Sequence, residues 1–77
     1  MKIVNEASIL EARELRMRSG EFPHRIVLRY IPDSDTPYST NYENLKVENG
    51  ELHHYSFYLG RCFSSLEEAK HDFDFRQ

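Results

Sequence analysis

One thiol, four histidines and a scatter of carboxylates are the side chains in this 77-residue sequence whose types could do chemistry. Cys62 is followed by Phe63 and stands just ahead of a helix-forming stretch, where a helix dipole favours thiolate. A nucleophilic thiol also needs a base within hydrogen-bonding reach, and His53, His54 and His71 are the available ones. Their spacing matches no nucleophile pattern, and free cysteine commonly serves as a small packing residue. His53 and His54 are neighbours on a chain that reads as extended, so they point to opposite faces and cannot chelate one ion together. A metal site would need His24 or His71 and a carboxylate brought in by folding. No Walker loop, dinucleotide fingerprint, nucleophile elbow or zinc-protease helix is present. With one cysteine there is no internal disulfide and no single-chain cysteine zinc cluster. The expectation is a protein that is not an enzyme and carries no metal or cofactor.

The carboxylates are more informative as a charge pattern. The formal net charge is −3, but it is unevenly spread. Residues 13 to 29 hold Arg13, Arg16, Arg18, Arg25 and Arg29 against Glu14 and Glu21, whereas residues 33 to 52 hold five acids against Lys46. An acidic chain lacks the basic excess that counterion release rewards, so direct nucleic-acid binding is not expected. The acids Asp33, Asp35, Glu43, Glu48, Glu51, Asp72 and Asp74 would instead suit an acidic surface that imitates phosphate and occupies a basic groove on a protein partner. Five tyrosines add side chains with apolar area and a polar tip, and Tyr38, Tyr42 and Tyr58 are the candidate anchors of such an interface. A variant turns Arg13, Arg16, Arg18 and Arg29 toward an acidic partner instead.

Positioning these residues falls to a small set of elements. At 39% hydrophobic and 30% charged residues, the chain supports one small core, hence a single domain over 1–77. A chain near this size hides only about 60% of its unfolded surface, which leaves little room for a deep substrate cavity. No run approaches the roughly 18 apolar residues of a membrane span, and Glu6, Glu11, Arg13 and Glu14 fall where a signal peptide would be apolar. A cytoplasmic protein is expected.

Ser64 or Ser65 opens a capping box with Glu67 or Glu68, which predicts a helix over 65–75 with Leu66, Ala69 and Phe73 on its packed stripe. Asn49-Gly50 predicts a type I′ hairpin that pairs Val47 with Leu52, Leu45 with His54, Tyr42 with Phe57 and Thr40 with Leu59. Its apolar residues then fall on both faces, so a bulge or strong twist near Glu43 and Asn44 is expected. Residues 25 to 31, rich in β-branched side chains and ended by Pro32, suit a central strand. Residues 14 to 18 alternate and read as an edge strand; a helix from the Ser8-Ile9-Leu10-Glu11 box through Arg18 satisfies the same residues. The fold class is α+β: an antiparallel three- to four-stranded sheet with the C-terminal helix packed on one face. Only Ile3, Val4, Ile9 and Leu10 remain to cover the other face.

The stretches Pro23 to Tyr30, Pro37 to Leu45 and Gly60 to Phe73 resemble parts of short single-domain proteins of bacteria, their phages and plasmids, which lack a recognised enzymatic motif. In size, charge and architecture the chain is also similar to phage-encoded anti-defence inhibitors such as anti-CRISPR proteins. That resemblance implies a non-catalytic inhibitor that docks on a nucleic-acid-binding effector, such as a CRISPR effector complex, through the acids and tyrosines above. The alternative is a small homodimeric structural or regulatory protein that pairs through an uncovered sheet face or edge.

Overall fold

The computed structural model describes residues 1–76. The order of elements is β1 (Lys2–Ile3), β2 (Ile9–Arg16), β3 (His24–Tyr30), β4 (Tyr38–Glu48), β5 (Glu51–Phe63) and α1 (Leu66–Phe75). The fold is α+β, but the sheet has five strands in the order β1-β5-β4-β3-β2. It is mixed, because β1 runs parallel to β5. The sequence reading missed β1, since two residues carry no periodicity and the pairing partner lies some fifty positions away. Strand β2 starts at Ile9 and pairs antiparallel with β3. The helical alternative for residues 8 to 18 is therefore overturned, because pairing with β3 outweighs the local capping box.

The hairpin forms at Asn49-Gly50, both at positive φ. Its register begins as expected, with Val47 opposite Leu52 and Leu45 opposite His54. Two irregularities then shift it. Leu45 faces His54 while Asn44 faces Ser56, which leaves Tyr55 as an extra residue. Tyr42 faces Tyr58 while Thr40 faces Arg61, which sets Leu59 and Gly60 against Asn41 alone. The first bulge is where the split apolar pattern demanded one. The second was not foreseen, and the expected pairs Tyr42 with Phe57 and Thr40 with Leu59 do not form. Gly60 leaves room at the second bulge for the Asn41 side chain, whose Nδ2 would lie 2.5 Å from a Cβ there and would have to move aside.

On one face, α1 packs Ala69 and Phe73 onto Ile26 and Leu28, with Tyr38, Tyr42 and Phe63 against the cluster. Ser65 is the N-cap, accepting from Glu68 N–H at 3.1 Å. Leu66 departs from the expected stripe and is exposed. The last turn of α1 holds no basic residue of its own. Arg13 on β2 supplies the missing charge by donating to the carbonyls of Phe73 (2.8 Å) and Arg76.

On the other face, Val27, Leu45 and Leu52 are fully buried. Their cover is the N-terminal segment. Val4 N–H bonds Leu52 O at one edge, Glu6 reaches Arg25 at 2.5 Å, and Ser8 O accepts from Tyr30 N–H near the other edge. A five-stranded sheet is about 19 Å across, and the six steps from Ile3 to Ile9 reach about 20 Å. The strap is just long enough to cross a curled sheet.

Candidate functional site

A helix of ten residues is about 15 Å long, whereas the eleven residues of β4 run about 36 Å. The helix therefore leaves much of its own face uncovered. Where that cover ends, Tyr42, half-buried against the helix cluster, lies opposite Tyr58 across β4 and β5, ring centroids 5.4 Å apart and stacked. Tyr42 is shared between two clefts. One, of about 380 Å³, is bounded by Glu14, Arg16, His24 and Tyr58. The other, of about 440 Å³, is bounded by Leu59, Arg61, Phe75 and Arg76.

The second cleft depends on a buried arginine. Arg76 is 6% exposed. It donates to Leu59 O at 2.5 Å, Thr40 O at 3.3 Å, Thr40 Oγ1 at 3.1 Å and Asp72 Oδ2 at 3.2 Å. Its guanidinium also lies 5.0 Å from the Tyr42 ring centroid. This one side chain ties the end of α1 to the bulge on β5. Held there, Leu59 adopts φ 51°, a left-handed conformation that costs a bulky residue about 1–2 kcal/mol. Its side chain is nevertheless 69% exposed, and Phe75, which borders the same cleft, is 73% exposed.

Asp72 braces the arrangement. Partial burial alone would raise its pKa, but hydrogen bonds from Thr40, Arg61 and Arg76 outweigh that and hold it below the ordinary 3.8. A depressed carboxylate stabilises the fold above its unfolded-state pKa, and that contribution is lost as pH falls through the folded value. Asp72→Asn is accordingly expected to cost about 1–3 kcal/mol at pH 7. The gap from the unsubstituted protein should close below about pH 4. Urea unfolding at a series of pH values checks this; a gap that stayed constant to pH 2.5 would contradict it.

The residues expected at a partner surface are dispersed. Asp33 and Asp35 are exposed in the loop before β4. Glu48 and Glu51 flank the turn at its far end, where Glu48 pairs with Lys46 at 2.8 Å. Asp74 is exposed on α1 and bonds Lys70 at 2.9 Å. These acids do not form one surface, because β4 separates the two loops by its full length. Glu43 is not a surface acid at all. Its side chain is 3% exposed beneath the strap and accepts from Arg25 Nε at 2.6 Å, with His54 Nδ1 at 2.7 Å. Tyr38 is half-buried in the core cluster. Of the ten candidates, Tyr42 and Tyr58 are brought together, with Asp72 as support beneath the neighbouring cleft.

Leu59, Phe75 and Arg76 were missed by sequence reading. Leu59-Gly60 inside an aromatic strand was the available sign of a bulge. Cys62 sits in β5 opposite Ser39. His53 and His54 pair with Lys46 and Leu45, six or seven steps along β4 from Ser39, roughly 20 Å away, so neither forms a dyad with the thiol. Among the described residues, no three His, Cys, Asp or Glu side chains gather as a metal-ligand set. No helix there is long and apolar enough to cross a membrane. Comparison with family models, curated proteins and solved structures gave no match.

Proposed function

We propose that this protein is a non-catalytic protein-binding module that docks through Leu59 and its aromatic neighbours Tyr58 and Phe75. One observation carries the reading: Leu59 is kept in a strained backbone conformation while its side chain faces water. The bulge and its bond to Arg76 account for the backbone of Leu59, but they do not require so large an apolar side chain to stand in water beside Phe75; strained positions of this kind cluster at functional sites. Tyrosine and other large apolar side chains are the usual anchors of protein interfaces.

Leu59→Asn tests this directly, because asparagine tolerates the left-handed region. The substitution is expected to leave stability unchanged or raise it by about 1 kcal/mol. It should also abolish capture of the partner that the unsubstituted, tagged protein retrieves from host lysate. A stable Leu59→Asn protein that still captured the same partner would end the reading.

The narrower form, an anti-CRISPR-type inhibitor seated on a nucleic-acid-binding effector, draws on the small size, acidity and α+β architecture. Because the acids are divided between the two ends of β4, docking in this form relies on the Leu59 patch and not on imitation of a phosphate track. Mass spectrometry of the captured partner decides it. A homodimer is the second reading, favoured by the same exposed patch. Pairing through sheet edges has less support, since one edge is the two-residue β1 and the other, β2, is interrupted by bulges, features that blunt edges. Sedimentation equilibrium separates a monomer from a dimer.

A further inference from the structure

The face under the strap has a cleft of its own, of about 370 Å³, whose border includes Asn5, Ser8, Ile9, Glu43, His54 and Phe57. That size falls in the range of small-molecule sites, about 300–1,000 Å³. Arg29 stands at one end of it: it pairs with Ile9 across β3 and β2, and its guanidinium lies 3.8 Å from the Phe57 ring centroid. Arg13, Arg16, Arg25, Arg61 and Arg76 each have a carboxylate within 4 Å. Arg29 does not. Among the described residues it forms no ion pair, and its buried Nε meets no acceptor. Glu43 is the acid that acts on it from a distance, but the two oxygens of Glu43 are held by Arg25 and His54. Burial accordingly lowers the pKa of Arg29, and the attraction of Glu43 and Cys62 does not make up for it. A half-buried cation on an aromatic ring, with donors left over, is a natural seat for an anion.

We infer that this cleft binds an organic monocarboxylate, with the carboxylate on Arg29 and the apolar body of the ligand against Phe57 and Ile9. The site lies on the opposite face of the sheet from the Leu59 patch, so the inference stands apart from the docking reading. An arginine fork meets a carboxylate through two parallel hydrogen bonds. His54 has Nδ1 on Glu43, which leaves its other ring nitrogen for a polar group of the ligand. Asn5 and Ser8 bring an amide and a hydroxyl to the same border. One uncompensated cation near the buried carboxylate of Glu43 suits a monoanion, since a dianion would bring one negative charge too many.

The experiment is an amide chemical-shift titration of the labelled full chain with phenylacetate, phenylacetamide, sulfate and the peptide acetyl-AAAAF, which ends in a free carboxylate. The carboxylates are expected to shift resonances around Ile9, Arg29, His54 and Phe57, and phenylacetamide, which lacks the charge, to leave them in place. Tighter binding of phenylacetate assigns the site to a free acid, and tighter binding of the peptide to a chain terminus; either supports the inference. Arg29→Gln is expected to weaken carboxylate binding about tenfold or more, and Arg29→Lys to recover part of it. Because the charge of Arg29 is uncompensated in the fold, Arg29→Gln is expected to keep the urea unfolding midpoint. Should the midpoint fall, the contrast between phenylacetate and phenylacetamide on the unsubstituted protein still decides. No response to either carboxylate up to about 10 mM, tenfold above a millimolar Kd, overturns the inference. So does equal binding of phenylacetamide, tighter binding of sulfate, or unchanged affinity in Arg29→Gln.

Discussion

Arg76→Ala is expected to destabilise the fold by about 3–5 kcal/mol, the range for removing one member of a buried ionic pair. A chain of 77 residues has a total stability of about 4–12 kcal/mol, so this substitution alone approaches the lower bound. The size of the effect follows from what is left behind. Removing the guanidinium deprives Asp72 of a donor, and it leaves the carbonyls of Thr40 and Leu59 without the partner that Arg76 supplies. Arg61 still pairs with Asp72 at 2.7 Å, but from an exposed position, where an ion pair contributes little. Denaturant unfolding followed by circular dichroism gives the loss. A loss under about 1 kcal/mol, the worth of an exposed ion pair, would mean that Arg76 is not the tie between α1 and the bulge. Arg76→Lys should recover only part of it, since an ammonium cannot span Thr40, Asp72 and Leu59 together.

Glu43→Ala is expected to cost a similar amount, about 3–5 kcal/mol. Arg25 is 5% exposed and would keep only Glu6, which itself is 44% exposed, while His54 would lose its carboxylate partner. The decisive comparison is the double substitution Arg25→Met with Glu43→Leu. Buried ion pairs are often replaceable by apolar residues of similar volume at little cost. The double variant should therefore be more stable than Glu43→Ala, although each of its parts removes a charge. Equal loss in the single and double variants would instead point to the Glu6 contact, and hence the strap, as the contribution that matters. Neither Arg25 nor Glu43 touches Leu59, and both lie under the opposite face of the sheet. The double variant is thus expected to keep partner capture, which separates stability from docking.

The sequence by itself determined the elements whose signals are local. The Asn49-Gly50 turn needs two positive φ values that few other residue pairs accept. The helix start needs an oxygen at Ser65 for the N–H of Glu68. The strand from 25 to 31 carries its own β-branched pattern, and the first bulge followed from an apolar pattern that could not lie on one face. These specified an α+β fold with a C-terminal helix on a sheet. The tertiary structure decided what depends on distant pairing: the parallel β1, the strand state of residues 9 to 16, and the second bulge. It also decided the fate of the charges. Glu43 and Asp72 look like Asp33 or Asp74 in sequence, yet Glu43 is buried against Arg25 and Asp72 is held by Arg61 and Arg76. An ionisable side chain lies inside or outside according to whether an opposite charge meets it there, and that partner comes from another strand or from the helix. The exposure of Leu59 has the same origin, since Gly60 permits the bulge locally but Arg76, seventeen residues on, holds it in place.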